Sequence, residues 1–167
     1  EDGIRDKLVT GVQTCALPIW KAEIAATLKY LQKKCLPHDY PCDVTKGHWW
    51  IAYVDNIIPV GFAGMVRSIS WWDCGYLCRA GVITEYQGKG IQKRLIKVRE
   101  AQAKRLGWNW IITDTRDNPP SSNNLIACGF RLYNPTQPWG YKDALYWRKK
   151  INANQRPSCK KRKASPI

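Results

Sequence analysis

The feature that most constrains this chain is a turn with two glycines, which joins an apolar stretch to a long amphipathic one. Residues 76–83 read as a buried strand, and residues 90–106 repeat apolar side chains at helical spacing. Between them lies Gln87-Gly88-Lys89-Gly90-Ile91-Gln92. The first N–H groups of a helix lack intrahelical acceptors, and the helix dipole adds positive charge there. The turn therefore predicts an anion-binding site whose glycines let a phosphate approach the backbone.

The helix after the turn has a predicted apolar face and a predicted end. The apolar face is assigned to Ile91, Leu95, Val98 and Ala101. The positions between them are charged, namely Lys93, Arg94, Lys97, Arg99 and Glu100. Gly107 after Lys104-Arg105 is typical of a helix C-terminus.

Composition limits the class of protein. A chain of 167 residues can form one domain with a buried core, and no apolar run approaches the roughly 20 residues of a membrane span. The seven cysteines have no regular pairing pattern, which favours reduced thiols and a cytoplasmic location. The net charge of +14 is compatible with nucleic acid, an acidic membrane or a polyphosphorylated cofactor.

The N-terminal and C-terminal segments of the sequence differ in character from residues 20–151. Residues 9–19 resemble the translation of a sequencing-library adapter read in one frame. We therefore expect residues 1–19 to be an artefactual segment from an assembled, metagenomic read, and exclude them from fold reasoning. A continuous genomic read through codons 9–19 would contradict this expectation. Residues 20–151 form the predicted domain, and residues 152–167 are a predicted basic, disordered tail.

The central part predicts alternating strands and helices. Asn118, followed by two prolines, is typical of a helix N-cap with proline in the first turn. The predicted order is helix 23–34, strands 49–54, 60–66 and 76–83, helix 90–106, strand 110–114, a short helix from Asn118 to Cys128-Gly129-Phe130, and strands 131–133 and 143–147.

This order resembles the GNAT superfamily of N-acetyltransferases. Residues 82–92 are similar to the family's apolar strand followed by Arg/Gln-x-x-Gly-x-Gly/Ala, and Asn118-x-x-Ser121 is similar to its Asn-x-x-Ala/Ser helix. The resemblance covers about residues 20–151. It implies an α+β, three-layer fold with a mixed, mostly antiparallel sheet, splayed at the central strand and flanked by helices. The family's first strand would precede helix 23–34, and we expect it to have been lost.

The resemblance also implies a reaction and a cofactor site. The reaction is transfer of an acetyl group from acetyl-CoA to a primary amine, by direct attack in a ternary complex. The backbone amides of the glycine turn would hold the CoA pyrophosphate, the main chain of the splayed strand would pair with the pantetheine, and two residues of the short helix would line its other side. The implied cofactor-binding residues are Val82, Ile83, Gln87, Gly88, Lys89, Gly90, Ile91, Gln92, Asn118 and Ser121.

Two positions depart from the family pattern. Gln92 stands where the family has Gly or Ala, and Leu125 stands where many members have the tyrosine that protonates the CoA sulfur. Tyr133, Tyr146 or water would then act as the acid, and a thiolate with a pKa near 8–9 needs little help to leave. Carboxylates considered as the general base are Glu85, Asp73 and Asp114. Glu85 and Tyr133 are the predicted catalytic pair.

Partners and alternatives stay open from the sequence. The acceptor is a small molecule or a peptide amine, and the protein is a monomer or a homodimer. No metal is predicted, because the spacing of Cys35, His38, Cys42 and His48 fits no common zinc finger. An alternative function is a non-catalytic CoA-fold or nucleic-acid-associated module using the basic tail, although a nucleic-acid partner is not expected.

Overall fold

The computed structural model describes residues 18–151, with side chains from residue 22 onward. Most of the adapter-like segment and the whole basic tail lie outside the described residues, so the division at residues 19 and 151 stays a prediction. The described part contains α1 Pro18–Cys35, β1 His48–Val54, β2 Ile58–Arg67, β3 Cys74–Tyr76, β4 Ala80–Val82, a 3-10 turn Thr84–Tyr86, α2 Ile91–Arg105, β5 Trp110–Thr115, α3 Pro119–Ala127, β6 Arg131–Leu132 and β7 Leu145–Lys150.

The strands form one mixed sheet in the order β1-β2-β3-β5-β7-β6, with β4 also paired to β2. The pairing of β3 with β5 is parallel, and the other pairings are antiparallel. The hairpin connection is residues 55–57, because Val54 pairs with Ile58, and Asp55 and Asn56 within it both have positive φ. The predicted mixed, mostly antiparallel sheet is confirmed.

The sheet opens at its centre. The predicted single strand 76–83 is two strands, because the chain changes partners within it. The Leu77 N–H still donates to the Ile112 carbonyl of β5 at 2.9 Å, whereas the Ile83 N–H donates to the Val60 carbonyl of β2 at 2.9 Å. β4 therefore stays with β2 and separates from β5, which confirms the predicted splay.

Helices cover both faces of the sheet. On one face, Leu28 and Leu31 of α1 pack with Ile51 and Phe62. On the other face, α2 and α3 contribute Ile91, Leu95, Ile96, Ala103 and Leu125 to a larger core with Trp50, Met65, Ile111 and Trp147. The three-layer architecture is confirmed.

The buried face of α2 differs from the predicted one. Ile91, Leu95, Ile96, Arg99 and Ala103 are buried, whereas Ala101 is exposed and Val98 is only half-buried. The reason is that Ile91, Leu95, Arg99 and Ala103 follow one another at four-residue spacing and form a single ridge. Arg99 therefore lies on the buried side, although its charge suggested the solvent side.

We expect Gly81→Ala to lower the free energy of unfolding by about 1–3 kcal/mol, because overpacking strains a filled core. An added Cβ at this position overlaps the Cβ of Cys35 and lies 3.0 Å from Cε1 of Phe62. Urea unfolding measures the loss. Adding Cys35→Gly removes one overlap and should recover part of the stability, and additive losses in the double variant would contradict this packing.

Candidate active site

The splay between β4 and β5 opens into a cleft of about 930 Å³. Four parts of the fold line it: the divided central strand, the end of β5, the inner faces of α2 and α3, and two loops. Its lining residues include Tyr76, Cys78, Ala80, Gln92, Arg99, Asp114, Asn118, Ser121, Leu125 and Trp139. The cleft thus brings together side chains from segments far apart in the sequence.

The glycine turn lies at the N-terminus of α2. Gly88 and Gly90 have φ of +76° and +73°, the left-handed region that glycine adopts without strain. The first backbone hydrogen bond of α2 runs from the Arg94 N–H to the Gly90 carbonyl at 3.2 Å. Within the described part of the chain, the N–H groups of residues 88–93 have no acceptor. The turn therefore presents a row of free donors.

The space beside the turn is open and positively charged. An added Cβ at Gly88 meets no atom within 4 Å, and one at Gly90 meets only Nη2 of Arg94 at 4.0 Å. The first turn of α2 carries no acidic residue. Lys89 lies over the Tyr86 ring, with Nζ 4.9 Å from the centroid. These features fit an anionic phosphate group.

The main chain of β4 has one free side. The Arg79 carbonyl accepts from the Gly64 N–H at 2.8 Å, and the Ile83 N–H is bonded to Val60. Because successive residues of a strand face opposite neighbours, the N–H groups of Ala80 and Val82 face away from β2. Ala80 lines the cleft, whereas Val82 is not one of its lining residues. The Val82 carbonyl already accepts from Nε2 of Gln87 at 3.1 Å. Ala80 is therefore the β4 residue that lines the cleft and whose N–H does not donate to β2, whereas the Ile83 N–H is already used.

Asn118 and Ser121 lie together at the start of α3. The Asn118 side chain caps the helix, because its Oδ1 accepts from the Ser121 N–H at 3.0 Å. The predicted N-cap is thus confirmed. Both residues line the cleft, and Gln92 of the glycine turn lines it as well.

The predicted catalytic residues lie apart from the cleft. Glu85 is exposed on the 3-10 turn, and neither it nor Tyr133 is a lining residue. The Tyr133 hydroxyl is buried and has no hydrogen-bond partner among the described residues. Burial raises the pKa of Tyr133 to about 12. Leu125, which is 4% exposed, does line the cleft, but its side chain has no acidic proton to donate. The roles of Glu85 and Tyr133 stay predictions.

Arg99 is a cleft residue that the sequence interpretation missed. It is 2% exposed, and it donates from Nε to the Leu95 carbonyl at 2.9 Å and from Nη1 to the Gly64 carbonyl at 3.3 Å. It forms no ion pair with any carboxylate that the structure describes. Burial lowers the pKa of Arg99 to about 10, so the guanidinium is still charged at neutral pH. The sequence signal that indicates its burial is the four-residue spacing from Ile91 to Leu95 to Arg99, which places all three on one face of the helix.

Asp114 lies at the end of β5 and is held by two neutral donors. The Tyr76 hydroxyl donates to its Oδ1 at 2.7 Å, and Nε1 of Trp139 donates to the same oxygen at 2.9 Å. Burial, together with the Asp114 carboxylate, raises the pKa of Tyr76, which keeps its proton as a donor. Asp114 was a candidate from sequence, whereas Tyr76 and Trp139 were not.

Cys78 should react slowly with iodoacetamide at pH 7, although it lines the cleft. Burial raises the pKa of its thiol to about 11, against an opposing effect of Arg99. Because the thiolate is the reactive form, the rate should rise about tenfold per pH unit from pH 7 to 9. Mass mapping of the peptide with residue 78 measures the rate, and Cys78→Ala removes the signal. Fast modification at pH 7 would contradict this burial.

The described residues contain no group of three or more His, Cys, Asp or Glu placed to hold a metal ion. Cys42 instead donates from Sγ to Oε1 of Gln32 at 2.8 Å. Of the helices described, none is long and apolar enough to cross a membrane.

Comparison with known proteins identifies both a family and a shared fold. The model of the acetyltransferase (GNAT) family matches residues 18–130. The structure is similar to the ribosomal-protein-S18-alanine N-acetyltransferase of Escherichia coli, with a TM-score of 0.66, 14% identity, and coverage of 88% of this chain and 98% of that chain. No curated protein sequence matches the chain.

Two further similar structures contain a cofactor. The first is yncA of Salmonella typhimurium with acetyl-CoA, at a TM-score of 0.66 and 15% identity, covering 89% of this chain and 98% of that chain. The second is a Bacillus subtilis acetyltransferase in complex with CoA, at a TM-score of 0.63 and 15% identity, covering 84% of this chain and 98% of that chain. At such identities the similarity establishes the fold.

Proposed function

Since the chain belongs to the acetyltransferase (GNAT) family, we propose that it transfers an acetyl group from acetyl-CoA to a primary amine by direct attack. The observation that carries this proposal is the cleft between β4 and β5, which is lined by Gln92 at the start of α2, beside the free N–H groups of the glycine turn, and by Asp114 at the end of β5. The five described cysteines are free thiols, which favours a cytoplasmic location.

The cofactor-binding residues follow from the groups that face the cleft. The N–H groups of residues 88–93 suit the pyrophosphate, because they are free and lie at a helix N-terminus. The N–H groups of Ala80 and Val82 suit the pantetheine arm, since they do not donate to β2. Asn118 and Ser121 flank the opposite side. Gln92 lines the cleft, and its side-chain amide suits a hydrogen bond to a phosphate oxygen.

The chemistry needs orientation and charge stabilisation. Acetyl-CoA supplies the acetyl group as a thioester. The amine nitrogen forms a bond to the carbonyl carbon while the C–S bond breaks, the nitrogen loses a proton to a base or water, and the thiolate takes one up. The Arg99 guanidinium favours the negative charge that develops on oxygen and then on sulfur, and it does so in a cleft where Leu125 offers no acid.

A turnover screen tests the function. The chain is incubated with acetyl-CoA and a panel of primary amines, and released CoA thiol is followed with a disulfide reagent. Thiol release that depends on the amine supports the proposal. Undetectable acetyl-CoA binding by calorimetry would contradict it.

The basic tail supports a second candidate function. Residues 156–163 carry Arg156, Lys160, Lys161, Arg162 and Lys163 and no acid. Salt-dependent DNA retention that is lost on deleting residues 152–167, together with no CoA binding, would favour a non-catalytic, nucleic-acid-associated module.

A further inference from the structure

Asp114 is a half-buried carboxylate that has no cationic partner. Its Oδ1 accepts both hydrogen bonds that the side chain receives, from Tyr76 and from Trp139. Among the described residues, the ion pairs involve Asp39, Asp43 and Glu100, and none involves Asp114. A carboxylate removed from bulk water is stabilised most by a charge of opposite sign. The chain has a net charge of +14, so basic side chains are plentiful, yet none of those described forms an ion pair with Asp114.

The three arginines that line the cleft have other partners. Arg79 forms an ion pair with Asp39. Arg116 lies over the Tyr141 ring, 4.8 Å from the centroid. Arg99 donates to two carbonyls on the inner side of the cleft. None of these three arginines supplies a cation to Asp114, so a charged ligand is a candidate partner for it.

Aromatic rings surround the carboxylate. The Tyr76 and Trp139 rings lie 6.2 Å apart at 84°, and the Trp139 and Tyr146 rings lie 4.7 Å apart at 71°. The Tyr146 hydroxyl accepts from the Gly140 N–H at 2.9 Å, which anchors the loop that carries Trp139. Aromatic faces attract cations, most strongly where water is partly excluded. The group thus combines a carboxylate with cation-binding rings on a held loop.

This cluster shares its cleft with the β4 edge where acyl transfer is proposed. Tyr76, Asp114 and Trp139 lie on the β3–β5 side of the splay, and Ala80 of β4 lines the same cleft. An amine bound at Asp114 therefore lies in the same cleft as the main chain of Ala80.

We propose that Asp114, Tyr76 and Trp139 form the acceptor subsite, and that it selects a protonated primary alkylamine; this rests on the acetyltransferase function proposed above. The carboxylate binds the ammonium group, the two neutral donors orient the carboxylate, and the rings contact the first methylenes. The bound ammonium gives one proton to water before the reaction, because only the neutral amine has the lone pair that forms the N–C bond. Neutral alcohols and weakly basic arylamines lack the charge that this subsite recognises.

The test uses Asp114→Asn in the full chain. The amide oxygen can still accept from Tyr76 and Trp139, so the variant keeps the local hydrogen bonds and loses only the charge. The matched control is Asp143→Asn, because Asp143 is an exposed carboxylate in the neighbouring turn and is not a lining residue. n-Butylammonium is the probe, and 1-butanol is its neutral counterpart. Binding is measured by saturation-transfer NMR on protein saturated with CoA.

We expect Asp114→Asn to weaken n-butylammonium binding at least tenfold, with Asp143→Asn unchanged and CoA affinity within twofold of the parent chain in both. The KM for n-butylamine should rise by a similar factor. Tyr76→Phe should give a smaller rise in the Kd of n-butylammonium, because one hydrogen bond to the carboxylate is lost. Absence of probe binding to the parent chain, equal binding of 1-butanol, or an unchanged Asp114→Asn variant overturns the subsite. Failure of CoA to bind overturns the proposed function instead.

Discussion

Replacement of Gly90 by valine is expected to weaken acetyl-CoA binding by about 100-fold or more. Gly90 has φ of +73° at the N-cap of α2, a conformation that strains a β-branched residue. The new side chain also enters the open space beside the free N–H groups. Each hydrogen bond to a charged group contributes about 1.5–3 kcal/mol, so the loss of two accounts for the factor. Calorimetric titration with acetyl-CoA measures the change.

Gly107→Val is the matched control for backbone strain. Gly107 also has φ of +73° and has no atom within 4 Å of an added Cβ, but it lies beyond the C-terminus of α2 and away from the cleft. Both variants should lose similar stability in urea, whereas only Gly90→Val should lose cofactor affinity. An equal loss of affinity in both variants would show that the effect comes from folding rather than from phosphate binding.

The second large effect is expected at Arg99. With both substrates saturating, Arg99→Met should lower kcat by about 100-fold, because in the proposed mechanism its charge stabilises the developing oxyanion, and such a group contributes roughly 10²–10³ in rate. The affinity for acetyl-CoA should change by only a few fold. Stopped-flow and steady-state assays of CoA release separate kcat from KM. Lysine at this position keeps the charge and should restore part of the rate.

Arg105→Met is the control on the same helix. Arg105 is exposed in the last turn of α2 and lies outside the cleft, so its loss should leave kcat unchanged. Arg99→Met is also expected to lose some stability, because the Gly64 carbonyl loses a partner. A folded Arg99→Met protein with the parent kcat would show that Arg99 only connects α2 to β2.

Features of the fold with local causes could be predicted from the sequence. The Asn118 cap needs only an Asn before a short helix, and the hairpin needs only two apolar runs around Asp55-Asn56. The division of residues 76–83 has a different origin. The apolar residues of this segment are typical of one continuous strand. The segment divides into β3 and β4 because its two neighbours in the sheet, β2 and β5, diverge. Such pairing depends on contacts distant in sequence, which no local pattern records.

The candidate site likewise has parts that the sequence predicts and parts that depend on contacts distant in sequence. The glycine turn is contiguous and could be identified residue by residue. The Tyr76–Asp114 hydrogen bond joins residues 38 positions apart, and Trp139 comes from a third segment. Glu85 was chosen because it adjoins the turn, yet the side chain is exposed. Arg99 was assigned to solvent by its charge, although its helical spacing pointed inward.

The divided strand has a mechanical consequence. Only two residue pairs, Val66 with Tyr76 and Arg67 with Gly75, connect β2 to β3, so the strand pairing between the two halves of the sheet is narrow within the described chain. Beyond that bridge, β4 and β5 have unpaired edges that face each other. A ligand that hydrogen-bonds to the β4 edge and fills the space between β4 and β5 would contact both halves of the sheet and connect them. Ligand binding and the rigidity of the sheet are then thermodynamically linked. Of the ligand-bound and ligand-free proteins, we expect the ligand-free one to have the more flexible sheet.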